Sequence, residues 1–267
     1  ITGLTAYYAI PSASGSDGAG HSSVSGTSSA IGWAASRGGT TVAVRGVTEQ
    51  DSVYFICENR WMRTPPNVDF ATPPSTTIVV EPSFAWTLGD KLMNKTLTLS
   101  QVILRTGSSL ILSPIGEGNN NTTTLYSNTI GGAFRLEDGA SICLNASNTG
   151  EGIKQYVLSA SVTGTGAIAA LSAVSSQAYA TRLLNKITGD ISGFTGDIET
   201  YNRGSAVAME LVNANSIPGD PPAGETSYVV VTNGATLKID QDWTSPANRM
   251  WDFGDGARPT VFVAEGK

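Results

Sequence analysis

Charge is the scarcest property of this sequence. Only 14% of its 267 residues are Asp, Glu, Lys or Arg, where ordinary globular domains carry roughly 25%. The deficit argues against a helical protein, because exposed helix faces are usually built from Glu, Lys and Arg. Basic residues are the rarer kind, 16 against 22 acidic ones for a formal charge of -6, and they are scattered singly or in pairs. Without a basic stripe there is no footprint for a phosphate backbone, so nucleic acid is not an expected partner.

Other absences narrow the field further. No apolar run approaches the roughly 18 residues of a membrane-spanning helix, and the longest, around Tyr228-Val229-Val230-Val231, has the length of a strand. The only histidine, His21, lies in a Ser/Gly-rich stretch with no acid nearby, and is expected to be a solvated loop residue rather than the base of a serine triad. Two cysteines, Cys57 and Cys143, are too few for a disulfide framework and are expected to be two buried thiols on separate strands, with a single disulfide as the alternative. No phosphate-binding loop or dinucleotide fingerprint is present. No catalytic, cofactor-binding or metal-binding residue set is assigned, and no cofactor is expected.

What fills the sequence instead is Ser, Thr, Asn and 30 Gly, which suits strands joined by tight turns. The first 66 residues read as a strand (residues 1–10), a Ser/Gly-rich segment and a cap. In the cap, Ser28 to Ser36 looks helical, Thr40 to Val44 reads as a strand, and Val53 to Cys57 reads as another. Pro65-Pro66 and Pro73-Pro74 bracket an irregular crossing, which places a boundary between the cap (1–66) and a main body (67–267).

In the body a phrase recurs: a polar residue and a Gly, then a small residue, then a strand. It appears at Thr106-Gly107-Ser108-Ser109-Leu110, Asp138-Gly139-Ala140-Ser141-Ile142, Thr165-Gly166-Ala167-Ile168, Asn233-Gly234-Ala235-Thr236-Leu237 and Asp255-Gly256-Ala257. Gly166 to Gly189 is 23 residues (189 − 166) and Gly234 to Gly256 is 22 (256 − 234). Periods above about 20 residues mark solenoids. A coil of three short strands and three bends needs about 20 to 25 residues. Within the strands, alternation separates an inner from an outer side: Leu237 and Ile239 face in while Lys238 and Asp240 face out, and Leu97-Thr98-Leu99 reads the same way. The expected fold is all-β, a right-handed single-stranded parallel β-helix with an N-terminal cap. An antiparallel sandwich is the rival, but matched strands around two-residue Asn-Gly or Asp-Gly turns are few.

Two segments resemble known scaffolds. Tyr7-Tyr8, Gly15-Ser16-Asp17-Gly18, the helix-like stretch and Gly39-Thr40-Thr41-Val42 resemble the opening of pectate-lyase-like β-helix proteins, which implies a helix plugging the first coil. Leu184 to Tyr201, with Gly193-Phe194-Thr195-Gly196, resembles the coils of autotransporter passenger domains. These scaffolds carry adhesins, enzymes and inert stalks alike.

Candidate chemistry is sparse. Asp197, Asp220 and Asp242 recur at steps of 23 and 22 (220 − 197, 242 − 220), and would form a calcium-binding ladder if stacked, though Asp is also a common turn residue. Asp197 with Glu199, and Asp240 with Asp242, read as solvated strand faces. Asn94, Asn120, Asn121 and Asn145 head formal glycosylation sequons. Trp243 and Trp251 are expected to pack at an end of the stack. The functional expectation is a non-enzymatic extracellular or cell-surface β-solenoid (filament subunit, surface-layer element or adhesin stalk). It would self-associate through strand edges or through the strand at residues 1–10, with a carbohydrate or cell-surface ligand as a further partner. A polysaccharide lyase or hydrolase, or a carbohydrate-binding β-helix, is the alternative.

Overall fold

The computed structural model describes residues 3–10, 22–23, 32–114, 124–148, 153–172, 185–202, 209–232, 234–254 and 259–264. They form a parallel β-solenoid whose strands line three faces. Face one carries β6 (Phe70–Ala71), the first half of β9 (Thr96–Leu104), the first half of β11 (Leu125–Leu136), β13 (Ile153–Leu158), β16 (Asn185–Ile187), β18 (Met209–Leu211), β20 (Thr236–Ile239) and β22 (Thr260–Val263). Face two carries β1 (Thr5–Ala9), β4 (Ser52–Ile56), β7 (Thr77–Val80), the second halves of β9 and β11, and β14 (Ser161–Gly164). Face three carries β2 (Ser22–Ser23), β5 (Arg60–Arg63), β8 (Ala85–Asp90), β10 (Ser109–Pro114), β12 (Ser141–Asn148), β15 (Ala167–Ser172), β17 (Asp197–Asn202), β19 (Ser227–Thr232) and β21 (Arg249–Asp252).

Alternation builds the core. Along face three, Trp86, Leu110, Ile142, Ile168, Ile198 and Val229 stack in one register column, and all are fully buried. Each such side chain contributes about 1.5–3 kcal/mol when removed from water, and only stacking of coils removes it. The expected inward residues Leu97, Leu99, Leu237 and Ile239 are likewise buried.

The corners have their own chemistry. Between faces one and two, β11 bends at Gly132, where the register shifts against β9. Gly132 has φ +116°, and an added Cβ would run into the Leu99 carbonyl of the coil beneath, so only glycine brings the backbones this close. Between faces three and one, buried asparagines serve the backbone. Asn128 accepts from Asn94 N (3.0 Å) and donates to Leu92 O (3.1 Å), while Asn185 accepts from Tyr156 N (2.9 Å) and donates to Leu144 O (3.0 Å).

Several expectations need correction. The helix expected over Ser28 to Ser36 is absent from its described part. Trp33 and Ala34 form β3, antiparallel to β1, and Trp33 also bridges Val44. At Trp33 and Ala34 tertiary pairing therefore overrides local propensity, and among the described residues it is β3 that lies beside β1. Of Thr40 to Val44 only Val44 makes a bridge, and Val42 is exposed. The period of 23 joined unlike corners. Gly189 lies against Ala160, whereas the coil neighbour above Gly166 is Gly196, 30 residues on (196 − 166). Gly256 and His21 lie outside the described residues, as do Asn120 and Asn121.

Candidate functional site

A concave feature lies at the corner between faces two and three, where successive turns stack. Ser141, Ala167 and Asp197 share one register position, so the turns that precede β12, β15 and β17 pile up along the solenoid axis. They contribute Asp138, Thr165 and Thr195 to a cleft of about 490 Å³, and Asp197 lines it as the first residue of its strand. The wall is the segment 218–226, which carries Pro221 and Glu225 into the cleft and ends at Ser227. That wall is anchored: the Asn248 side-chain amide donates to the carbonyls of Pro221 (3.1 Å), Pro222 (3.3 Å) and Glu225 (3.1 Å).

Beneath the cleft lies Arg249, almost wholly buried. Its guanidinium donates to Gly196 O (2.8 Å) and Gly219 O (2.7 Å), tying together the turns of two coils. Burial pulls its pKa down, while Asp197 and Asp220 pull it up. Asp197 accepts from Tyr228 N (2.7 Å) through one carboxylate oxygen. Burial raises the Asp197 pKa and the charge of Asp138 adds to that, against the Tyr228 amide and Arg249. A carboxyl that is half withdrawn from water gains from a cationic partner.

Next to it on β17, Glu199 is held above the usual carboxylate range by burial, and accepts a hydrogen bond from the Tyr201 hydroxyl (3.0 Å). Burial and the Glu199 charge push the Tyr201 phenol upward in turn. The Asp197/Glu199 pair is therefore half-buried, where a solvated face was expected. On face one, Glu210 is buried between Lys186 (2.9 Å) and Lys238, and Lys238 also reaches Asp240 (2.9 Å). Register stacks these charges with alternating sign.

The proposed ladder of Asp197, Asp220 and Asp242 does not form. Asp197 aligns with Ala167, and neither Asp220 nor Asp242 lies in a strand. The wall segment adds residues between β17 and β19, so equal spacing in sequence lands at unlike places in the coil. Among the described residues no group of three or more His, Cys, Asp and Glu is arranged to hold a metal ion, and no helix is long and apolar enough to cross a membrane. Cys57 and Cys143 form no disulfide with each other: Cys143 lies on β12 and Cys57 just past the end of β4, both are half-buried where full burial was expected, and burial raises the Cys57 pKa. Asn94 is a left-handed corner residue (φ +56°) whose side chain accepts from Ser127 N (2.8 Å). Trp243 and Trp251 pack 5.7 Å apart beside the last coil, as expected.

Sequence reasoning missed Asp138, Glu225 and Arg249. Asp138 stood inside a recurring phrase and read as turn chemistry. No local pattern linked residues drawn from four coils. Compared with protein-family models, with curated proteins and with solved structures, the chain matches none.

Proposed function

We propose that this chain is a structural and interaction β-solenoid that works outside the cell and associates with a second copy through its C-terminal coil. One observation carries the reading. Val263 continues the inner column of Leu211 and Ile239, both buried, yet it is 48% exposed. In the same last described coil Met250 on β21, Phe253 just after it and Phe262 on β22 are exposed as well. Among the described strands, β21 pairs only with β19 and β22 only with β20, so each leaves one backbone edge open. Neither strand carries a lysine, a residue that commonly guards such edges.

The opposite end is different. There β1 pairs with β4 along Thr5 to Tyr8 and with β3 at Tyr8 and Ala9, so its donation to a neighbour would cost those pairings and the Tyr7–Tyr54 and Tyr8–Phe55 stacks. A contact made by the C-terminal coil of each copy joins like to like. Such a contact closes after two copies instead of growing into a filament. The polar, weakly charged composition supports an extracellular setting.

Sedimentation velocity over a wide concentration range tests this. The chain is expected to approach twice its 27.7 kDa mass, and Met250→Lys combined with Phe262→Lys is expected to leave a folded monomer. A wild-type monomer at every concentration, or a dimer indifferent to the double substitution, overturns the reading. A second reading, carbohydrate binding, is supported by the cleft: it is concave, lined by hydroxyls and carboxylates, and has a wall fixed by Asn248.

A further inference from the structure

We propose that the cleft binds an oligosaccharide of amino sugars, a ligand that carries hydroxyls and ammonium groups together. This deepens the carbohydrate-binding reading and is independent of association through the C-terminal coil.

The lining has a marked polarity. Asp138, Asp197 and Glu225 contribute carboxyls, Thr165 and Thr195 contribute hydroxyls, and among the described residues no Lys, Arg or His lines the space. Arg249, the nearby cation, is almost wholly buried and gives its two terminal nitrogens to the Gly196 and Gly219 carbonyls. A polyuronate would therefore meet carboxylate with carboxylate, and like charges disfavour it. A bare metal ion is a poor fit too. Asp138 and Asp197 stand two coils apart, about 10 Å along the axis, and the carboxylates form no metal-binding group. Ammonium groups on successive sugar units match a spread of separated carboxylates, and the ring hydroxyls match the threonines.

Two further observations point to an occupant. Ser227 lines the cleft and is 2% exposed, and its Oγ has no hydrogen-bond partner among the described residues. A buried hydroxyl without a partner is costly unless something else supplies one. Asp197 uses one oxygen on Tyr228 N, while its carboxyl is partly desolvated and so gains most from a charged donor. The anchored wall lets the site exist before the ligand arrives, which lowers the ordering cost of binding.

The test is isothermal titration of the full chain with a glucosamine tetramer, its N-acetylated counterpart, a galacturonate tetramer and spermine. The glucosamine tetramer is expected to bind, and N-acetylation, which keeps the ring hydroxyls and removes the charge, is expected to weaken binding about tenfold or more. Asp197→Asn keeps the acceptor for Tyr228 N, and Glu225→Gln sits on the exposed wall. Each is expected to weaken binding by a similar factor, with circular dichroism and melting temperature unchanged. If the acetylated or galacturonate oligomer binds as well, the amino-sugar assignment fails while carbohydrate binding stands. If spermine binds as tightly as the sugar, the hydroxyl half of the proposal fails. If none of the sugars binds, the carbohydrate reading falls with it.

Discussion

At one end of the solenoid Trp33 is 1% exposed, stacked edge-on against the buried Tyr54 and bridged by backbone to Ala9 and Val44. At the other, Trp251 is half-buried, Phe253 stacks on it 6.0 Å away in the open, and Val263 exposes a core position. Both ends use aromatic residues. What separates them is the backbone: the first coil has an antiparallel strand laid across it and the last described coil has none. Aromatic packing alone thus does not close a solenoid, and satisfying the strand edge is the other half of the task. Buried charge occurs behind both ends: Asp197, Glu199, Glu210 and Arg249 are withdrawn from water toward the C-terminal side, and Arg60 toward the N-terminal side.

The comparison can be broken most forcefully at Trp33. Trp33→Ala is expected to cost about 3–5 kcal/mol in denaturant unfolding, whereas Trp251→Ala at the open end is expected to cost about half as much. Equal losses would mean that the two ends are packed alike. Arg249→Met comes next. It leaves the Gly196 and Gly219 carbonyls without their charged donor, and a loss of about 2–3 kcal/mol is expected. An unchanged melting temperature would show that the clamp contributes nothing.

The smallest effect is electrostatic. Burial keeps the folded-state pKa of Glu199 above its ordinary value of about 4.3. Its contribution to stability is therefore fully present below that ordinary value and is lost as pH rises through the raised one. Glu199→Gln should match the wild type in acid and exceed it at pH 7 by less than about 1 kcal/mol after solvent screening. A variant less stable at neutral pH would reverse the sign.

The inner columns were legible because alternation is local: Leu97-Thr98-Leu99 and Leu237-Lys238-Ile239 state their sidedness within three residues, and the structure buries the outer pair each time. The coil period was only partly legible. Glycine occurs at more than one kind of corner, so Gly166 and Gly189 looked like one position repeated when they belong to different corners. The region around Trp33 was misread because its partners, Ala9 and Val44, are distant in sequence and no local pattern announces them. The cleft was invisible for a related reason. Asp138, Thr165, Asp197 and Glu225 converge only after stacking, and the insertion that forms the wall removes the regular spacing that would have linked them.

The most direct test of association through the open end is hydrogen exchange of backbone amides, followed as a function of protein concentration. Amides of residues 249–252 and 260–263 are expected to gain protection as concentration rises, while those of residues 5–9 and 52–56 stay constant. Protection that appears instead at residues 5–9, or exchange at 249–252 and 260–263 that is indifferent to concentration, would contradict the account.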